Sequence, residues 1–186
     1  MLVSDAQREV RLTFMGCFPG GVVAGAIWLV SAALGTWSST THAILVLVAG
    51  GAFIFPLTQL LLRAMGRRAS LDPANPLAGL AMQIAFTIPL SLPLVGAATI
   101  HRLDWFYPAF LIVVGAHYLP FVFLYGMWTF ALLAAIMIFG GTWIGLAMPG
   151  AFSLGGWFGG TVILAFAVLG LVLAGREQRQ GASAAR

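Results

Sequence analysis

Lysine is absent from this sequence: all nine basic residues are arginines. Chemistry through a lysine Schiff base, and with it a retinal-type pump, is therefore excluded. A single cysteine, Cys17, allows neither a disulfide within the chain nor a four-cysteine metal site. Charge of any sign is scarce, 8% of residues, where a soluble domain carries about 25%. With 61% hydrophobic residues, too few charges remain to cover a water-facing surface, so the natural solvent is a bilayer. No aspartate or glutamate falls inside a long apolar run, which removes the buried carboxylate that proton-coupled carriers commonly use. Without a basic stripe on a soluble face, nucleic-acid binding is not expected. No G-x-S-x-G, H-E-x-x-H or P-loop occurs. The histidines do not converge: His42 and His101 fall near one interface and His117 lies deep, so neither a three-histidine metal site nor a bis-histidine haem is expected. The reading is of no metal and no cofactor, and of a protein that is not an enzyme rather than one that is.

What is present is apolar sequence in pieces of membrane length. A spanning helix needs roughly 20 mainly apolar residues. Six runs meet that length, at about 12–34, 42–65, 76–99, 105–125, 127–148 and 154–174. Short polar or Pro/Gly breaks separate them, such as "GRRASLDPANP" (66–76) and "MPGAFSLGG" (148–156). The predicted fold is all-α and polytopic: one six-helix transmembrane domain over 1–175 and a flexible cytoplasmic tail over 176–186. The first run is too long for a signal-peptide core of about 7–15 residues and is read as a span. "SDAQREVR" (4–11) has Ser4 and Gln7 in capping-box spacing and predicts a short helix leading into it. Eight arginines (8, 11, 63, 67, 68, 176, 179 and 186) fall on the side of the termini and only Arg102 on the other. That bias puts both termini in the cytoplasm. Trp37, Trp105, Phe106 and Tyr107 would mark the outer interface, with Tyr125 and Trp128 at the inner one.

Small residues mark where helices approach. GxxxG spacings occur at Gly16, Gly20, Gly21 and Gly25, at Gly141 and Gly145, and at Gly155, Gly156, Gly159 and Gly160. Each is a seam for packing within the bundle or for a homo-oligomer, the first being favoured. "GGAFIFP" (50–56) and "VGAHYLP" (114–120) are alike and run in the same direction, which suggests parallel helical-hairpin repeats.

The polar residues inside the apolar runs form the candidate site. Gln83, Thr87 and Ser91 are four apart, hence on one face of span three. Pro89 and Pro93 in that span free the carbonyls of Ala85 and Pro89. Gln59 in span two has a depth similar to Gln83, so the two could meet across the 2–3 hairpin. His117 and Tyr118 sit in span four, with Pro120 following. Two readings of His117 stay open: a hydrogen bond that holds span four in place, or a ligand for substrate or proton. His101, Arg102 and Asp104 read as an interfacial turn rather than an enzyme site.

"FPLTQLLLR" (55–63), "NPLAGLAMQ" (75–83) and "GAHYLPFVFLYG" (115–126) resemble the landmarks of a bacterial multi-pass membrane family known as a domain of unknown function. The resemblance covers roughly 50–135, with Asn-Pro-Leu and Gly-Ala-His-(Tyr/Phe)-x-Pro its most specific parts. It implies a bacterial membrane context and no mechanism. Two functions follow from the residues themselves. One is a small transporter or channel-like protein with a midplane site of Gln59, Gln83, Thr87, Ser91, His117 and Tyr118 for an unknown small molecule. The alternative is a non-catalytic module of the bacterial inner membrane that binds lipid or another membrane protein.

Overall fold

The computed structural model describes residues 1–67 and 69–184, with side chains as far as Gln180. Arg68 and Arg186 of the arginine count lie outside the described residues. These form seven α-helices and two 3₁₀ turns, with no strand among them. The helices are α1 (Val3–Thr13), α2 (Phe18–Trp37), α3 (Thr40–Ala64), α4 (Ala78–His101), α5 (Phe106–Tyr125), α6 (Thr129–Ala147) and α7 (Leu154–Ala184). Six of them, α2 to α7, are long and apolar enough to cross a membrane.

Local chemistry sets the ends. α2 starts later than the hydropathy predicts, because Met15, Gly16 and Cys17 all have positive φ (51°, 64° and 71°) and break the chain away from α1. Pro19 then opens the new helix, where its missing N–H costs nothing. Ser39 caps α3 by accepting from the His42 N–H at 3.1 Å. α5 stops at Gly126, φ 63°, with the Met127 N–H reaching back to the Val122 carbonyl at 3.1 Å, a Schellman closure. α1 starts from Leu2 without a side-chain cap. Ser4 therefore lies inside the helix, and Gln7 is free to bond elsewhere. α7 continues as helix through Ala184, past residue 176 where a flexible tail was expected. No proline interrupts it, and Arg11 holds it at Glu177.

Packing follows chain order. α2 packs on α3, α4 on α5, α5 on α6 and α6 on α7, and α7 closes back onto α2. The exception is α3 and α4, which share no packed interface among the described residues. Only 6% of the apolar stretch of α3 and 11% of that of α4 is buried, against 44% for α5. The similar segments 50–56 and 114–120 thus lie on helices in unlike positions, one peripheral and one central.

The centre is full. The Trp28 ring meets Phe110 edge-on at 5.6 Å and Tyr107 at 6.0 Å. A Cβ on Gly159 would lie 2.6 Å from Trp28, and one on Gly156 would lie 2.7 Å from Tyr107. These glycines make room for large rings. Tyr107, Phe106 and Tyr125 are consequently buried (0%, 2% and 5% exposed) and are not the interfacial markers expected of them. Trp37 and Trp128 are exposed, as such markers should be. The other glycine seams also meet the same chain: Gly21 meets Ala167, Gly25 meets Leu164, and Gly141 meets Leu111 and Pro108.

Candidate functional site

α4 and α5 bring two of the predicted residues together. His117 Nδ1 lies 2.7 Å from Thr87 Oγ1, and Thr87 Oγ1 donates to the Ile84 carbonyl at 2.8 Å. A hydroxyl has one hydrogen, and a carbonyl can only accept. The tautomer of the imidazole sets which of His117 and Thr87 donates, and the Ile84 carbonyl meets the imidazole as well. The ring rests on Phe121, centroids 5.1 Å apart, and on Tyr118 at 5.6 Å.

Helix register fixes the direction of this side chain. Residues four and seven apart share a face, so His117 lies in line with Phe121 below and Phe110 above. Phe110 rests on Trp28 of α2. This face of α5 thus meets α2 at Phe110, α4 at His117 and α6 at Phe121, which packs on Phe130 at 5.4 Å. It is eight residues from the end of α5 at Tyr125, about 12 Å along the axis and near mid-span.

Among the described residues, none of the remaining predicted ones hydrogen-bonds to the His117 side chain. Ser91 donates to the Thr87 carbonyl at 2.7 Å, inside its own helix. Gln83 is exposed and Gln59 half-buried, and neither amide has a partner among the described residues. Their expected meeting across the 2–3 hairpin does not occur, because the connection is drawn toward α1. Asn75 donates to the Ala6 carbonyl at 3.2 Å and to Glu9 at 2.8 Å, and the Asp72 N–H donates to Glu9 at 2.6 Å. Tyr118 is buried, its ring edge-on to His117 at 5.6 Å and stacked on Phe130 of α6 at 6.1 Å. α4 runs without a break through Pro89 and Pro93, both exposed.

Two polar clusters have no counterpart in the sequence reading. In the core, Ser31 donates to the Ala43 carbonyl at 2.7 Å and receives the Tyr107 hydroxyl at 2.6 Å, tying α2 to α3 and α5. A lone serine in an apolar span was the one available signal. At the end bearing the N-terminus, Arg11 makes a two-pronged pair with Glu177 of α7 at 2.9 Å and donates to the Tyr125 carbonyl at 2.6 Å. Gln7 donates to the Phe123 carbonyl at 2.6 Å. Both bond to carbonyls of the last turn of α5, of which Phe123 also accepts the Gly126 N–H at 3.3 Å. At the far end, Arg102 pairs with Asp104 at 2.7 Å, and Asp104 accepts from the Gly150 N–H at 3.1 Å. That cluster fastens the 4–5 turn to the 6–7 turn, beside an open depression of about 320 Å³ lined by Ala98, His101, Arg102 and Trp105. Among the described residues no three His, Cys, Asp or Glu side chains converge as metal ligands would.

Six apolar helices packed in chain order around an aromatic centre, with one deep histidine, define a multi-pass helical bundle of membrane type. Within that class the chain belongs to the family of unknown function DUF7010, which matches residues 3–173 and so reaches well beyond 50–135. No curated protein and no solved structure matches it.

Proposed function

We propose that the protein is a small carrier of the bacterial inner membrane, with both termini cytoplasmic, that admits an amphiphilic small molecule sideways between α3 and α4. One observation carries this reading: of the consecutive helices from α2 to α7, α3 and α4 alone share no packed interface among the described residues, and His117 lies half-buried at mid-span of α5, bonded to Thr87 of α4. An axial pore is disfavoured because Trp28, Tyr107 and Phe110 fill the centre. The arginine bias, eight against one, supports the orientation. The glycine seams of α2, α6 and α7 are taken up within the chain, so a second copy would have to meet other faces.

The second reading, a module that binds lipid without moving it, is favoured by the hydroxyls of Thr58, Thr87 and Ser91, all bonded to their own helices. Cysteine labelling separates the two. In a Cys17→Ala background, single cysteines are placed by Thr87→Cys and Ser91→Cys, with Leu90→Cys as the lipid-facing control. Reaction with a membrane-impermeant maleimide at 87 or 91, and not at 90, supports a carrier. Reaction only with a lipid-soluble maleimide supports the module. Silence at both sites toward both reagents refutes the opening.

A further inference from the structure

We infer that the depression at the end of the bundle away from the termini holds the phosphate of a phospholipid headgroup, with an acyl chain laid along α4. This site does not rest on the proposed opening between α3 and α4. The first step is the lining. The depression, about 320 Å³, is bordered by Ala98, His101, Arg102 and Trp105. Three of these four side chains carry N–H donors, and none is a carboxylate. Arg102 gives its Nε–H and one Nη2–H to Asp104, at 3.2 and 2.7 Å. Two hydrogens on Nη1 and one on Nη2 remain. The His101 ring and the Trp105 indole N–H have no protein partner among the described residues. Asp104 itself is engaged by Arg102 and by the Gly150 N–H at 3.1 Å. A guanidinium with free N–H groups, an imidazole and an indole around one hollow suit an oxyanion. An ammonium group there would meet a guanidinium and no carboxylate in the lining.

The second step is depth. α4 has 24 residues, about 36 Å of helix, against a hydrocarbon core of about 30 Å. His101 is its last residue and Arg102 its C-cap, so the hollow lies at the level of the headgroups. The oxyanion to hand at that level is a lipid phosphate. The third step is the surface beneath. Leu90, Leu94, Ala98 and Arg102 are four apart and share one face of α4. Leu90 and Leu94 are 76% and 70% exposed, and Ala98 offers only a methyl. The stripe therefore runs from donors at the top to open apolar surface below, the order of groups in a lipid. On the other side the Trp105 ring lies against Gly145 of α6, where a Cβ would come within 3.1 Å of it. That contact fixes the ring as a wall of the hollow.

The test is native mass spectrometry of the full chain released from detergent, with dioleoyl phosphatidylglycerol, dioleoylglycerol and inorganic phosphate added in turn. The second carries the same chains without the phosphate, and the third the phosphate without the chains. Phosphatidylglycerol should bind about tenfold more tightly than either, the order of one hydrogen bond to a charged group. Ala98→Phe fills the hollow and leaves the Arg102–Asp104 pair alone. His101→Ala removes a donor from an exposed position, so packing is kept. Each should weaken phosphatidylglycerol about tenfold, while Arg63→Ala, exposed at the opposite end, should not. Equal affinity for phosphatidylglycerol and dioleoylglycerol, or wild-type affinity in both Ala98→Phe and His101→Ala, overturns the inference. Inorganic phosphate bound as tightly as the lipid makes this a site for a soluble anion and overturns the lipid assignment.

Discussion

Substituting Gly16 by alanine should be among the most damaging single-methyl additions in the protein. Gly16 has φ 64° and ψ 31°, a left-handed conformation that costs an L-residue about 1–2 kcal/mol. The added Cβ would also collide with the backbone of Gly170 on α7. It would lie 2.6 Å from the carbonyl carbon and 3.0 Å from Cα, with the carbonyl oxygen nearer still. Backbone atoms cannot rotate away, so α7 must shift from the start of α2. That shift loosens the contacts above, where Gly21 meets Ala167 and Gly25 meets Leu164. Overpacking of this kind costs about 1–3 kcal/mol, so the total loss is about 2–5 kcal/mol. Gly170→Ala meets the same obstacle from the other side but has no positive φ, and alanine recovers up to about 1 kcal/mol of helix propensity. It should cost less than Gly16→Ala. Gly51→Ala and Gly96→Ala have nothing within 4 Å and should be neutral or stabilising. The assay is thermal unfolding in mild detergent, read by gel-filtration peak height. If Gly16→Ala melts with Gly51→Ala, the close approach of α2 to α7 is not what holds these helices together.

Arg11→Met should loosen the end of the bundle that bears the N-terminus. It removes the donor to the Tyr125 carbonyl and leaves Glu177 with only the longer contact to Arg8 at 3.6 Å, at a cost of about 1.5–3 kcal/mol for bonds to a charged group. Pairing it with Glu177→Gln should cost less than the sum of the two single changes, which a double-mutant cycle measures directly. In the core, Ser31→Ala should cost more than Tyr107→Phe. The first leaves the buried Tyr107 hydroxyl without a partner, about 1–3 kcal/mol, while the second leaves Ser31 still donating to Ala43. Equal melting temperatures for these two would refute the assigned donor order. Alkaline phosphatase fused after the C-terminus should stay inactive while a green fluorescent protein there fluoresces, and the reverse would invert the proposed orientation.

Hydropathy made the six spans legible because it is a local property summed over some twenty residues. Where a span begins depends on single backbone angles, and those were not legible. Gly16 is an ordinary apolar-run residue by composition, yet its left-handed φ, with those of Met15 and Cys17, moves the start of α2 inward from the predicted residue 12. Thr87 and His117 were each visible as polar groups in apolar helices, and their bond follows from α4 and α5 being adjacent. The Gln59–Gln83 contact failed on the same logic. Two residues at matched depth meet only if their helices pack, and the path of residues 65–77 decides that. Tyr107 misled because an aromatic residue beside an interfacial turn reads as a belt residue. Only Gly155 and Gly156 of α7, far along the chain, reveal that there is room to bury it.

The separation of α3 from α4 has a physical origin in α1. Residues 65–77 form a connection longer than the roughly 2–8 residues that usually join packed helices, so the link itself does not hold α3 and α4 together. Here Glu9 takes the Asp72 N–H and the Asn75 amide, and Ala6 takes the same amide, so the start of α4 is fastened to α1. α1 is in turn fastened to α5 through Gln7 and Arg11 and to α7 through Arg11 and Arg8. α4 thereby belongs to the α5 side of the bundle, while among the long helices α3 packs on α2 alone. The separation is thus set from outside the spans, by a polar helix, and of the two separated helices α3 has the fewer ties to the bundle.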